Sequence, residues 1–197
     1  VAAAEAAGLA IAGFGENLAR ARQPAYVETP GGRVALISIA STFADESRAG
    51  HQRPDMRGRP GLSPIRYETH VTLSSEGMAG LRAALAEYPG LGSGSTVTFG
   101  GVQFSEGSTN SVTTVPNASD LAEIVEVVKD AQRQAEWVLV TSHTHEGAGD
   151  RSLPANLRSV PADFIVEVAR SVVDAGADIF IGHGPHRLRG IEVYRGK

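Results

Sequence analysis

Four of the six histidines in this 197-residue chain fall in two short runs, His143-Thr144-His145-Glu146 and Gly182-His183-Gly184-Pro185-His186. Neutral imidazole is the commonest nitrogen ligand of protein-bound metals, so histidines gathered in this way are where metal chemistry can be sought. In the second run Gly182 and Gly184 let the backbone bend and approach closely, and Pro185 fixes one torsion. Two imidazoles three residues apart on such a stiffened turn can aim at one point. The competing reading is ordinary solvated loop histidines. It explains one histidine in a loop better than it explains four at two strand ends.

The elements that must position these residues read clearly. Trp137-Val-Leu-Val-Thr-Ser142 is a buried-type strand that runs directly into His143. A helix is expected from Pro161 to about Ala175, with Pro161 at its first position, Gly176 as its cap, and Ile165, Val168, Ala169, Val172 and Val173 on its core face. The strand Asp178–Ile181 then runs out into His183. This is a β-α-β unit, so its strands should be parallel and end on one edge of the sheet. Neighbouring strands lie roughly 5 Å apart, and ligand sites of open α/β sheets gather on that edge. His143, His145, His183 and His186 therefore converge from segments about forty residues apart in the chain.

Upstream, Ala2–Ala7 is helical in composition, Leu9–Ala12 reads as a short strand and Glu16–Arg22 as a helix. Tyr26–Glu28, a Pro30-Gly-Gly32 turn and Arg33–Ala40 make a hairpin. Val34–Ile39 is apolar on both faces, as in a central strand covered on both sides. Residues 41–64 show neither period. They hold Arg48, His51, Arg53, Arg57 and Arg59, a set that suits an anionic substrate group and equally a mobile polar loop. Tyr67–Leu73 is a strand and Ser75–Tyr88 a helix. Leu91–Asn117 is rich in Gly, Ser and Thr, with β runs at Thr96–Phe99 and Val112–Val115, and reads as an insertion between core units. Asp120–Ala135 is an amphipathic helix, with Leu121, Ile124, Val125 and Val128 on one face.

Composition narrows the function. Apolar residues make up 42% and charged residues 20%, ordinary for a globular α/β protein. A net charge of −4 with no basic run argues against nucleic acid as a main partner. With no cysteine, thiolate metal sites and disulfides are excluded. No apolar run reaches membrane-spanning length. The chain opens on Val1 as if inside a helix, and Gly190–Lys197 reads as a strand entering a turn, so the sequence reads as an interior piece of a longer protein.

With these motifs assembled, the chain resembles the CapA family of capsule (poly-γ-glutamate) synthesis proteins, of the calcineurin-like metallophosphatase superfamily. The likeness runs from about Gly8 to Lys197. It rests on Gly13-Phe-Gly-Glu-Asn-Leu-Ala19, Val138–Glu146 and Gly176–Glu192. It implies a layered metallophosphatase-like α/β sandwich, a sheet flanked by helices, of which residues 1–197 are the C-terminal portion of a single domain. By the same resemblance the family's strand-end histidine falls on His143 and its Gly-His-x-Pro-His pair on His183 and His186, as ligands of a divalent metal. The longer protein would hold two such ions, zinc, manganese or iron. Family members carry Trp-Gly after the first histidine; here Thr144-His145 stands there. The family's upstream Asp and Asn-His ligands have no counterpart in this chain. Glu146 and Asp150 are the acidic residues nearby. The activity expected is a metal-dependent hydrolase acting on a phosphoester or a γ-glutamyl amide. His145 and Glu146 would serve as acid/base groups, and Arg59 or Arg187 would hold an anionic small-molecule or polymer substrate. The alternative is a non-catalytic component of a polymer synthesis or export assembly. Either role is compatible with a cell-envelope or extracytoplasmic setting.

Overall fold

The computed structural model describes residues 2–88, 94–149 and 152–197. In chain order the elements are α1 (Ala2–Ala6), β1 (Phe14–Gly15), α2 (Leu18–Ala21), β2 (Ala25–Thr29), β3 (Gly32–Ala40), β4 (Gly61–Leu62), β5 (Tyr67–Leu73) and α3 (Ser75–Ala84). They continue with β6 (Thr96–Phe99), β7 (Val102–Glu106), β8 (Ser111–Pro116), α4 (Ala118–Gln132), β9 (Trp137–His143), β10 (Gly147–Ala148), β11 (Val160–Pro161), α5 (Asp163–Asp174) and β12 (Ile179–His183).

Two four-stranded sheets carry the architecture, ordered β12-β9-β3-β2 and β6-β7-β5-β8. In the first, β12 and β9 pair in parallel, β9 and β3 pair in parallel, and β2 returns antiparallel through the expected hairpin. The β9-α5-β12 unit read from the sequence is therefore present, with His183 paired to His143 and His143 paired to Ala40. Three parallel strands thus end level with one another.

The main core lies on one face of this sheet. Ala35, Ile37 and Ile39 of β3 and Val138 and Val140 of β9 are buried against Ile124, Val128 and Ala131 of α4 and Phe164, Ile165, Val168 and Val172 of α5. The alternate positions Val34, Leu36, Leu139 and Thr141 are only half-buried. The two-sided covering expected from the apolar character of Val34–Ile39 is thus complete on one side only, because both core helices pack on the same face. Tyr67 of β5 stacks on Phe164 with ring centres 4.3 Å apart and planes within 6°, which joins the second sheet to α5. The Thr114 hydroxyl of β8 accepts from the Phe164 N–H, and Asp163 accepts from the Thr114 N–H.

Several local readings change. Leu9–Ala12 forms no strand, having no neighbouring strand to pair with. Helix α5 begins at Asp163; Pro161 lies instead in the short ribbon in which β11 pairs with β10. Gly176, at φ +119°, does follow the helix end as a left-handed residue suited to glycine. Residues 94–117 supply three of the four strands of the second sheet, including β7, whose weak alternation hid it in the sequence. Gly190–Tyr194 joins no ladder. Tyr194 and Lys197 exchange two backbone hydrogen bonds around Arg195 and Gly196, both at positive φ, which is the geometry of a two-residue type I′ turn. No helix among the described residues is long and apolar enough to cross a membrane.

Candidate functional site: a row of imidazoles

The level ends of β9 and β12 bring four imidazoles into a row. Ring centres of His183 and His143 are 5.3 Å apart, those of His143 and His145 4.9 Å, and those of His145 and His186 5.6 Å. The trio His143, His183 and His186 is therefore not contiguous: His145 stands between His143 and His186. The turn after β12 sits directly beneath the row. A Cβ on Gly184 would lie 2.7 Å from His145 Cδ2 and 3.0 Å from His143 Cε1, at a φ of +107°. Only glycine leaves room for the rings there.

Loop contacts hold the outer members in place. The His186 N–H donates to the Asn156 carbonyl at 3.0 Å, and the Asn156 side-chain nitrogen is 3.2 Å from His186 Nδ1. The Thr144 N–H donates to the His183 carbonyl at 2.8 Å, and the Ser41 N–H donates to the His143 carbonyl at 3.0 Å. His143 and His145 are half-buried, and His183 and His186 are exposed.

Glu146 faces hydroxyls rather than the rings. Its Oε2 accepts from Ser41 Oγ at 2.7 Å and Thr144 Oγ1 at 2.6 Å, and its Oε1 accepts from Thr42 Oγ1 at 3.0 Å. Arg189, which the sequence reading passed over, is half-buried. Its guanidinium reaches the carbonyls of Arg158, Ala155 and His145 at 3.2, 3.4 and 3.5 Å. Burial lowers its pKa, and the Glu146 charge opposes that shift. A signal for the hydroxyls was available, since Ser41 and Thr42 directly follow a run read as a central strand. Arg189 gave none.

The arginines proposed for substrate part company. Arg59 donates to the carbonyls of Arg48 and Asp45, inside its own loop. Arg187 and His183 line a cavity of about 730 Å³ between α5, the β12 edge and the C-terminal residues, with Ile181, Val173 and Ile191 among its walls. Asp150 lies outside the described residues.

The site can be tested for a divalent ion by its donors. Two imidazoles bound to one tetrahedral ion through ~2 Å bonds have ring centres roughly 5 Å apart, which the neighbouring pairs match. Of the expected ligands, His143 and His183 fit such an ion in kind and in ring spacing, while His186 neighbours His145. Among the described residues, however, no three His, Asp or Glu side chains already form an ion-holding group.

Fold and site together define a layered α/β protein that presents a histidine row at the carboxyl ends of its parallel strands. The family model for the bacterial capsule synthesis protein PGA_cap matches residues 1–197, and the chain belongs to that family. Two uncharacterized proteins of Sinorhizobium fredii (strain NBRC 101917 / NGR234), y4sH and y4uA, are each 35% identical over 192 residues, 95% of this chain and 40% of their own length. The PGA biosynthesis protein CapA of Bacillus subtilis (strain 168) is 36% identical over 72 residues, 36% of this chain and 17% of its own length. The chain thus spans about two fifths of the length of the first two relatives.

Proposed function

We propose that this chain carries part of the active site of a metal-dependent hydrolase of capsule polymer synthesis. Its substrate would be a phosphoester or a γ-glutamyl amide on an anionic small molecule or polymer. The observation that carries this reading is the imidazole row at the level ends of β9 and β12. His143, His183 and His186 are the residues that would hold a zinc, manganese or iron ion. Such an ion, when bound, polarises a phosphoryl or acyl oxygen and makes an attacking water more acidic. His145, inside the row, would move a proton. Arg187, on the same cavity wall as His183, can neutralise an anionic substrate. Arg59 is less suited, because its guanidinium is engaged within its loop.

The second reading is a non-catalytic part of a polymer synthesis or export assembly. Calorimetric titration with zinc and with manganese separates the two, read beside turnover of a generic phosphodiester. On the hydrolase reading the 197-residue chain takes up at most one equivalent, weakly, and His183→Ala abolishes uptake. Turnover appears in a longer form that supplies further ligands. No uptake by either form, with folding intact, favours the assembly component. Two tight equivalents in the 197-residue chain would show that its own residues suffice.

A further inference from the structure

Glu146 is surrounded by donors that leave it little to do in proton transfer. Three hydroxyls converge on its two oxygens at 2.6 to 3.0 Å, two of them from the residues after β3 and one from the residue after β9. Ser41 and Thr144 are buried, at 8% and 1% exposure, so water cannot readily take over their bonds. Thr42 Oγ1 has a single proton, given to Glu146. Its lone pair accepts the N–H of His145 at 2.8 Å. The chain of contacts therefore runs from the carboxylate through Thr42 to the backbone of His145. On the far side of the same residue, Arg189 lies 3.5 Å from the His145 carbonyl. Without these contacts His145 is one residue of a loop; with them its backbone is fixed from both sides.

We propose that Glu146 is a positioning residue: clamped by Ser41, Thr42 and Thr144, it fixes His145 through Thr42 and so sets the imidazole that stands between His143 and His186. The step from a fixed His145 to function rests on the reading of the row as a ligand site, but the clamp itself is measurable without any ligand. A neutral amide can keep it, because the Glu146→Gln oxygen accepts hydroxyl protons and its nitrogen donates to a hydroxyl oxygen. A group that carried a proton could not be replaced in that way.

The test is deuterium exchange of the His145 amide, with the His145 imidazole nitrogen NMR signals, in the metal-free chain. Amides of Val138 and Val140 in β9 report global unfolding. Glu146→Ala and Thr42→Val should speed His145 exchange by about tenfold and shift its imidazole signals, with the β9 amides unchanged. Glu146→Gln and Thr42→Ser should stay near wild type. If Glu146→Gln behaves like Glu146→Ala, the negative charge and not the clamp is what matters, and the proposal fails. It fails equally if neither Thr42→Val nor Glu146→Ala moves the His145 amide. Should Glu146→Ala unfold, the Thr42 pair decides alone. Zinc titration of the same variants separates the two readings. Zinc uptake absent from wild type overturns the ligand site and leaves the exchange result standing, whereas uptake weakened in Glu146→Ala and kept in Glu146→Gln supports both.

Discussion

Gly184 is the residue on which the imidazole row depends most directly. Its φ of +107° is one that side chains rarely adopt, and the space where a Cβ would stand is filled by His145 and His143. Gly184→Ala should cost about 1–3 kcal/mol of stability from backbone strain. It should also displace both rings, and on the proposed ligand-site reading zinc uptake then falls further than the stability loss explains. Gly182→Ala is the control: its Cβ would meet only Thr144 Cγ2, at 3.9 Å, with no positive φ to oppose it. Denaturant midpoints and zinc isotherms of the two variants check this, and equal behaviour would show that the turn has room to adjust. The importance of this glycine was partly legible in the sequence. A stiff turn was evident from Gly182-His183-Gly184-Pro185, but the neighbours of Gly184 come from another strand, and no local pattern names them. The order of the row was hidden for the same reason: which imidazole touches which depends on register, and His145 could not be placed between His143 and His186 before β9 and β12 were seen level.

At the scale of elements, a buried carboxylate ties three segments together. Asp120, in the first turn of α4, accepts from Arg22 at 2.9 Å and from the Arg66 side chain at 2.7 and 2.9 Å and its backbone N–H at 3.0 Å. Arg22 caps the end of α2 and is 5% exposed. Asp120→Ala leaves that guanidinium buried with Glu123 and the Pro64 carbonyl as its remaining partners among the described residues. A loss of about 1–3 kcal/mol is expected, the cost of buried donors left without their acceptor while Glu123 still balances the charge. Burial pushes the Asp120 carboxyl up, but the hydrogen bonds from Arg66 and the charges of Arg22 and Arg66 outweigh it and hold its pKa below the ordinary value. A carboxyl lowered on folding contributes stability that is full above the unfolded value and is lost as pH falls through the folded one. Urea midpoints should therefore drop below about pH 4 in wild type, with a smaller part of that drop in Asp120→Ala. Parallel profiles would assign the acid sensitivity elsewhere. This network was invisible in the sequence, where Asp120 read only as the start of a helix. The β9-α5-β12 unit was legible, because Val138–Thr141, Ile179–Ile181 and the face of α5 carry their patterns in adjacent residues.

The whole molecule combines a one-sided core with a C-terminal stretch held by charge. Leu188, Ile191 and Val193 are 95%, 98% and 78% exposed, so no apolar side chain among them anchors residues 190–197. Three ion pairs do so instead: Arg170 with Glu192 at 2.7 Å, Arg195 with Asp174 at 3.1 Å and Lys197 with Asp178 at 2.8 Å. The Tyr194 hydroxyl adds a bond to Asp174 at 3.3 Å. Screening acts on such exposed pairs, since the Debye length shrinks from about 10 Å at 0.1 M salt to about 3 Å at 1 M. Arg189 and His186 are held differently, by carbonyl oxygens partly shielded from solvent, which salt affects much less. The border between the two regimes lies near Gly190. Raising salt from about 0.1 to about 1 M should therefore loosen residues 190–197 and leave the imidazole row in place. Limited trypsin digestion reads this directly: cleavage after Arg195 should accelerate relative to cleavage after Arg189, once corrected for trypsin's own salt response on a peptide. Glu192→Gln and Asp174→Asn together should reproduce the effect at low salt. Equal cleavage at both sites under all conditions would mean that the cavity beside β12 keeps its wall through contacts other than these charges.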